Sequence, residues 1–112
     1  MRDDRLRYQD VLKAIEQIRL EPLGSQEEFL QDRRAQVWVL FHLQIIGEAL
    51  AGLSPQARAA NESWARPIIA TRNLLVHHYF RIDLEIIYEI AKNRLDDLEA
   101  RVRAALRALP EE

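Results

Sequence analysis

Apolar residues along most of the chain recur every three or four positions, which is the spacing of one face of an α-helix. In the N-terminal segment this repeat begins near Asp3 or Asp4 and continues to about Leu20. A proline and a glycine follow within residues 21–24, and both interrupt regular structure. The pattern therefore predicts a first amphipathic helix that ends near Leu20, with an aspartate as its N-terminal cap.

A second helix is predicted from Gln26 to Gly52. Ser25 and Glu28 have the spacing of a capping box, in which each side chain accepts a hydrogen bond from the other residue's amide. Apolar residues cover more than one face of this helix, so we expect the core on one side and another helix or a subunit on the other. Gly52 is predicted as the left-handed residue after its last turn. The isolated His42 is interpreted as a packed, hydrogen-bonded core residue.

Two helices are predicted in the next part of the chain. Ser54 and Pro55 are the residue types preferred at the N-cap and first position of a helix, here a short one ending near Ala60. Because proline has no amide hydrogen, a longer helix is expected to begin within a residue or two of Pro67 and to continue toward two histidines. Trp64 is predicted to pack at its start.

The clearest apolar repeat lies between Asp83 and about Leu109, and it predicts one continuous helix. The chain shows no strand pattern, no internal repeat and no linker. We therefore expect an all-α, up-down bundle of four to five helices with short connections, forming a single domain over residues 1–112.

Composition narrows the functional classes. The chain has 112 residues and no cysteine, which excludes disulfides and thiol chemistry within it. Its net charge of −2 argues against binding to nucleic acid by bulk electrostatics. The apolar runs are too short to span a bilayer, and no secretory segment is recognised, so a cytoplasmic protein without a membrane partner is expected.

The segment most rich in chemically useful groups is residues 72–79, which contains Arg72, Asn73, His77, His78 and Tyr79. A histidine accepts and donates protons near neutral pH, and a nearby arginine stabilises charge on a phosphoryl group. Together they suit cleavage of RNA without a metal. The same residues also suit a helix C-terminus, where charged histidines favour the negative end of the dipole. Spacing alone leaves both interpretations open.

Helical geometry restricts how these groups can meet. On one ideal helix, Arg72 and His77 lie about 140° apart and His77 and Tyr79 about 200° apart, whereas Asn73 and His77 share a face. Convergence requires a helix that ends near His77, an arginine that reaches around, or a contribution from a second copy of the chain. We expect a helix end followed by a turn. Asp83 either orients this site or caps the last helix.

No metal or cofactor is expected. His77 and His78 point apart on a helix, and no carboxylate or third histidine stands at a metal-binding spacing. The sequence also has no glycine-rich phosphate loop and no serine in a nucleophile elbow.

Residues 72–79, Arg-Asn-Leu-Leu-Val-His-His-Tyr, resemble the Arg-Asn-x3-His-x-Tyr motif of the HepT-like proteins, a branch of the HEPN superfamily of RNA-cleaving helical domains. The resemblance extends over about residues 6 to 107. It includes four flanking features: Phe29 with Asp32, the Ile-Gly-Glu-Ala run at residues 46–49, Trp64 before the motif, and Tyr79-Phe80-x2-Asp83 after it. Two positions depart from it, because residues 70 and 71 are Ala-Thr where many relatives carry Gly-Met, and His78 is often a smaller or acidic residue.

The resemblance implies a HEPN bundle that forms a homodimer through helix faces, with two motifs meeting in a cleft that takes RNA. It further implies a toxin whose antitoxin is a MntA-like minimal nucleotidyltransferase that transfers AMP to the motif tyrosine. On this basis Arg72 and His77 would be catalytic and Tyr79 the AMP acceptor. The residues expected to shape the site are Asn73, His78 and Asp83.

Three hypotheses follow for the function. The first is a metal-independent endoribonuclease toxin with the Arg72 and His77 site. The second is a non-catalytic helical subunit that presents Tyr79 or the dimer cleft to a nucleotidyltransferase. The third is a structural homodimer with a polar cluster at its interface.

Overall fold

The structure, a computed structural model, describes residues 2–110, and of Arg2 only the backbone. Within this range the chain forms seven α-helices and one 3-10 turn, with no strand. The helices are α1 (Arg2–Leu20), α2 (Gln26–Gln31), α3 (Arg33–Ala51), α4 (Pro55–Ala60), α5 (Glu62–His77), α6 (Leu84–Asn93) and α7 (Leu95–Ala108), and the 3-10 turn is Tyr79–Arg81. The all-α prediction is confirmed. The expected number of four to five helices is wrong, mainly because two of the predicted helices are each divided in two.

Helix α3 lies at the centre of the bundle. It packs against α1 on one side and α5 on another, while α7 covers α1 and α6 contacts both α2 and α3. Buried residues therefore occur around much of α3, as its wide apolar surface predicted: Ala35, Val39, Leu40, His42, Leu43, Ile46, Gly47, Ala49 and Leu50. No helix in residues 2–110 is long and apolar enough to cross a membrane.

The predicted second helix is interrupted at Asp32. The backbone of Asp32 is extended, its N–H donates to the carbonyl of Phe29, and its carboxylate accepts from the amide of Ala35. One residue thus ends α2 and begins α3, because an aspartate side chain competes well for free amides at a helix start. The capping box of Ser25 and Glu28 before α2 is confirmed, with bonds of 2.9 and 3.1 Å.

The predicted last helix is interrupted at Arg94, whose N–H still donates to the carbonyl of Ile90. The change of direction lets α6 pack on α2 and α3 while α7 packs on α1. An ion-pair group joins the two outer helices, with Arg19 of α1 bonded to Asp96 and Glu99 of α7. Because the apolar spacing of three and four continues through the break, the sequence pattern did not reveal it.

Helix α5 begins at Glu62, so its predicted start near Pro67 is wrong. Proline at this position removes only the bond to the carbonyl of Ser63, an exposed residue that water can reach. Trp64 is partly buried against the core, as predicted. Gly52 ends α3 with φ −85°, so its predicted left-handed conformation is also wrong.

A buried polar group attaches α4 to α1. The carboxylate of Asp4 accepts hydrogen bonds from the amide and hydroxyl of Ser54, at 2.8 and 2.6 Å, and therefore does not serve as the predicted cap of α1. Ser54 in turn caps α4 by accepting from Ala57, which confirms its predicted role. Burial alone would raise the pKa of Asp4. The hydrogen bonds from Ser54 act in the opposite direction, and the net result is a pKa below its ordinary value. Asn61 adds a bond of 2.6 Å to the hydroxyl of Tyr8.

His42 is a core residue, as predicted. Its Nδ1 lies 2.8 Å from the carbonyl oxygen of Trp38, which can only accept, so Nδ1 is the donor. The ring also packs against Trp38 and Phe41, with centroids 4.5 and 5.1 Å away.

Candidate active site

Helix α5 ends at the second half of the motif. Its last helical residue is His77, and the cap residue His78 leaves the helical conformation while its N–H still donates to the carbonyl of Leu74 at 2.8 Å. The 3-10 turn follows directly, closed by a bond from Arg81 to the carbonyl of His78. The expected helix end near His77, followed by a turn, is confirmed. Both histidines are exposed.

The side chain of Arg72 lies at a close approach of α5 to α3. A Cβ added to Gly47 would lie 2.2 Å from the Cβ of Arg72, so only a glycine allows this approach. The guanidinium NH1 donates to the Oδ1 of Asn73 at 2.8 Å, and NH2 lies 3.7 Å from a carboxylate oxygen of Glu48. The Nε atom is buried and has no hydrogen-bond partner in the structure. The stem of Arg72 is therefore held between helices, and its charged end is partly exposed.

Asn73 lies near both proposed catalytic residues. It accepts from Arg72, and it lines a shallow open groove together with His77 and His78, beside Ala70 and Leu74. No hydrogen bond joins Arg72 directly to His77 among the described residues. Of the three arrangements that the sequence allowed, the structure contains the helix end at His77, while convergence of Arg72 with His77 stays a prediction.

Tyr79 lies on a different side of the helix end. Its side chain is 54% exposed and lines a small pocket with Val37, Phe41 and Leu75. Its hydroxyl makes no hydrogen bond within the described chain. The tyrosine is therefore open to a reacting partner, but it does not contact Arg72 or His77 by a hydrogen bond.

Asp83 is placed as the N-cap of α6. Its carboxylate accepts from the amide of Glu85 at 2.9 Å, which confirms the capping alternative. Its additional role in shaping the site stays a prediction.

Two residues of this region had no functional role in the sequence analysis. Gly47 and Glu48 entered only as part of a family likeness, yet Gly47 permits the helix approach and Glu48 faces the guanidinium of Arg72. The available signal was a glycine inside an otherwise strongly apolar helix, where a glycine that is kept usually has a packing or functional reason. Residues 2–110 contain no group of three or more histidine, aspartate or glutamate side chains that could hold a metal ion.

Comparison with known proteins gives one family. The sequence model of the family described as Ribonuclease HepT-like matches residues 9–105. No solved structure matches the chain at a significant level.

Individual relatives carry similar names. "Putative RNase MJ0127" of Methanocaldococcus jannaschii is 35% identical over 71 residues, which is 62% of this chain but only 58% of that protein. "Probable ribonuclease HepT" of Thermococcus cleftensis is 29% identical over 98 residues, covering 83% of this chain and 86% of that protein. "Putative RNase TTE0752" of Caldanaerobacter subterraneus is 31% identical over 84 residues, covering 73% and 74%.

Proposed function

The chain belongs to the HepT-like ribonuclease family, and from this membership we propose that it is a metal-independent endoribonuclease toxin acting through Arg72 and His77. The observation that supports the proposal most is that Asn73 accepts a hydrogen bond from Arg72 and also lines an exposed groove with His77 at the end of α5. We infer that a cation, a carboxamide and an imidazole act there on one phosphodiester.

The proposed chemistry needs only these side chains and the RNA. His77 removes the proton from a ribose 2′-hydroxyl, and the 2′-oxygen forms a bond to the adjacent phosphorus. The bond from phosphorus to the 5′-oxygen breaks, and that oxygen takes a proton from the histidinium or from water. The products are a 2′,3′-cyclic phosphate and a free 5′-hydroxyl.

Arg72 has the electrostatic role. Its guanidinium stabilises the negative charge that increases on the phosphoryl oxygens in the transition state. The buried stem limits the orientations that the side chain can adopt before RNA binds, and this reduces the entropy lost in the reaction. Glu48, at 3.7 Å, is far enough to orient the guanidinium without occupying its hydrogen bonds.

The proposed homodimer uses an apolar patch on α3, defined by Val37 and Phe41, which are 51% and 59% exposed. The two residues also line a shallow pocket with Trp38 and the arginines at 33 and 34. Exposed apolar side chains of this size, grouped on one helix, are typical of a surface that another protein covers. A two-fold interface here would bury the patch twice and bring the two α5 ends toward one cleft.

The proposed partner is a MntA-like nucleotidyltransferase, and Tyr79 is its proposed target. The tyrosine oxygen would attack the α-phosphorus of ATP, forming the O–P bond as pyrophosphate leaves and the hydroxyl proton is released. The adenylyl group adds a negative phosphate two residues from His77, and it would repel the RNA backbone. The exposure of Tyr79 in the single subunit and its free hydroxyl support this step. Because Tyr79 shares a pocket with Val37 and Phe41, the proposed interface must leave the tyrosine hydroxyl at its rim.

The test is cleavage of a defined RNA by the purified protein in excess EDTA. We expect products with a 2′,3′-cyclic phosphate and a 5′-hydroxyl, and no cleavage of an RNA whose 2′-hydroxyls are methylated. Cleavage of the methylated RNA, or a strict requirement for added metal, would contradict the proposal. If the protein alone never cleaves RNA but its partner with ATP modifies it, the non-catalytic hypothesis replaces this one.

The modification is tested by mass spectrometry after incubation with the partner and ATP. We expect an added adenylyl group on the wild type and none after Tyr79→Phe. Tyr88→Phe is the matched control, since the hydroxyl of Tyr88 is occupied by a bond to the carbonyl of Gly24. Modification that persists in Tyr79→Phe would exclude Tyr79 as the acceptor.

A further inference from the structure

Phe80 is the most exposed large apolar side chain described, at 101% of its reference area. Its aromatic contact is the ring of Tyr79, edge-on at a centroid distance of 6.3 Å. Covering a phenylalanine ring is worth about 1.5–3 kcal/mol, so complete exposure suggests that the ring is covered by a ligand.

The backbone around Phe80 is held in place. Before it, His78 donates to the carbonyl of Leu74, and after it, Ile82 donates to the carbonyl of Tyr79 at 3.2 Å. Ile82 itself packs against the core. Phe80 therefore projects from a turn that is fixed on both sides, and little backbone freedom is lost when its ring binds a ligand.

The residues that flank Phe80 in the sequence, from His77 to Ile82, include a basic side chain and two imidazoles but no carboxylate. His77, His78 and Arg81 are all exposed, in a chain whose net charge is −2. The nearest acidic residue that follows, Asp83, already uses its carboxylate to cap α6. An exposed aromatic ring beside an arginine and two imidazole N–H donors suits a ligand with a flat apolar part and a nearby negative charge. A protein partner would instead have to desolvate these charges, which interface cores generally avoid.

We propose that Phe80 is a stacking platform for one unpaired base of the RNA substrate, next to the phosphate that His77 acts on. This proposal rests on the proposed ribonuclease function and deepens it by naming the substrate class. Unpaired bases stack on exposed aromatic rings, whereas bases within a duplex are already covered on both faces. The substrate is therefore single-stranded RNA, and Phe80 positions it.

The experiment measures binding without cleavage, in the full-length protein carrying His77→Ala. The probe is a short single-stranded RNA with 2-aminopurine as the only fluorescent base, moved along the strand one position at a time, and the comparison is the same strand in a duplex. With phenylalanine at residue 80, we expect the fluorescence to be quenched when 2-aminopurine occupies one particular place in the strand. We also expect the single strand to bind more tightly than the duplex. Phe80→Ala should weaken single-strand binding by about 5- to 100-fold and abolish the quenching, with little change for the duplex.

Two further substitutions separate stacking from general apolar contact. Phe80→Trp should retain affinity and quenching, whereas Phe80→Leu, which is apolar but has no π face, should lose both. The matched control is Ile86→Ala, which removes another exposed apolar side chain, 58% exposed on α6, and should bind like the parent.

Several outcomes would overturn the inference. One is that Phe80→Leu binds the RNA as tightly as the parent, and another is that Phe80→Ala loses equal affinity for the single strand and the duplex. A third is that Phe80→Ala changes the subunit association in sedimentation equilibrium, which would assign Phe80 to a protein interface. Normal binding by Phe80→Ala, with intact cleavage in the wild-type background, would refute the platform and leave the ribonuclease standing. Cleavage that survives His77→Ala would refute the proposed catalytic site. The binding comparison at residue 80 would still decide whether Phe80 stacks on a base.

Discussion

Replacing Gly47 with alanine tests whether the contact between α3 and α5 positions Arg72. The added Cβ would lie 2.2 Å from the Cβ of Arg72 and 2.8 Å from its Cγ. Ordinary carbon contacts are about 3.5–4.0 Å, so the two Cβ atoms must move apart by about 1.3–1.8 Å. Both Cβ atoms are bonded directly to the backbone, and a rotamer change cannot relieve their contact.

The magnitude follows from two opposing effects. Overpacking in a close helix contact costs about 1–3 kcal/mol, while alanine gains about 0.5–1 kcal/mol over glycine within a helix. We expect Gly47→Ala to lose about 1–2 kcal/mol of unfolding free energy, which lowers the melting temperature by roughly 5–15 °C. The accompanying shift of Arg72 should reduce single-turnover RNA cleavage by about 10- to 100-fold, since a misplacement of about 1 Å can cost that much.

The assays are urea unfolding followed by circular dichroism, and cleavage at 25 °C, where the variant remains folded. Gly52→Ala is the matched control on the same helix. Its Cβ would meet the guanidinium of Arg7 at 2.8 Å, the mobile end of a side chain that can move away, and its φ of −85° accommodates alanine. We expect a change within about 0.5 kcal/mol there. Wild-type stability and cleavage in Gly47→Ala would refute the reasoning, as would an equal loss in Gly52→Ala.

Three other predictions address separate contacts. Glu48→Gln removes the charge facing Arg72 and should lower the single-turnover rate of cleavage at saturating RNA by up to about fivefold. This factor corresponds to the free energy that a half-exposed ion pair contributes. Asp4→Asn should destabilise the fold at pH 7 by about 1–3 kcal/mol through its weaker bonds to Ser54. Since the folded pKa of Asp4 is lowered, this difference should shrink as the pH falls below about 4 in unfolding titrations. Phe41→Asp places a charge in the proposed dimer patch and should yield monomers in sedimentation equilibrium.

Two of these predictions have a control variant, and all three have a contrary result. Asp3→Asn, at an exposed neighbour, should leave stability unchanged, and a pH-independent loss in Asp4→Asn would exclude the ionised hydrogen bonds as its cause. Leu20→Asp, at a residue 68% exposed on α1, should remain dimeric, and a dimer that survives Phe41→Asp would place the interface elsewhere. Unchanged or faster cleavage by Glu48→Gln would show that Glu48 does not orient Arg72.

Much of the fold could be predicted from local patterns. The capping box before α2, the Ser54 cap of α4, the core position of His42 and the helix end at His77 all follow from nearby residues, and the structure confirms them. The breaks at Asp32 and Arg94 depend on where the following helix packs, and an uninterrupted apolar repeat contains no such information. The single-domain assignment over residues 1–112 stays a prediction, and residues 1, 111 and 112 lie outside the described chain.

The candidate site divides in the same way. The motif residues could be identified from their chemistry and family likeness, and the end of α5 from its helical geometry. The role of Gly47 and Glu48 could not be predicted, because it depends on which face of α3 meets α5 at Arg72, a distance of more than twenty residues along the chain. The sequence spacing did not decide whether Asp83 caps the following helix, and the structure shows that it caps α6.

The central claim is that Arg72 and His77 carry the ribonuclease activity. The most direct measurement is the single-turnover rate of RNA cleavage in EDTA for Arg72→Ala and His77→Ala, each first shown to melt like the wild type. Arg66→Ala, which removes another exposed arginine of α5, is the matched control. The account predicts that each motif variant loses about a hundredfold or more while Arg66→Ala cleaves normally. A wild-type rate in either motif variant, or an equal loss in Arg66→Ala, would contradict it.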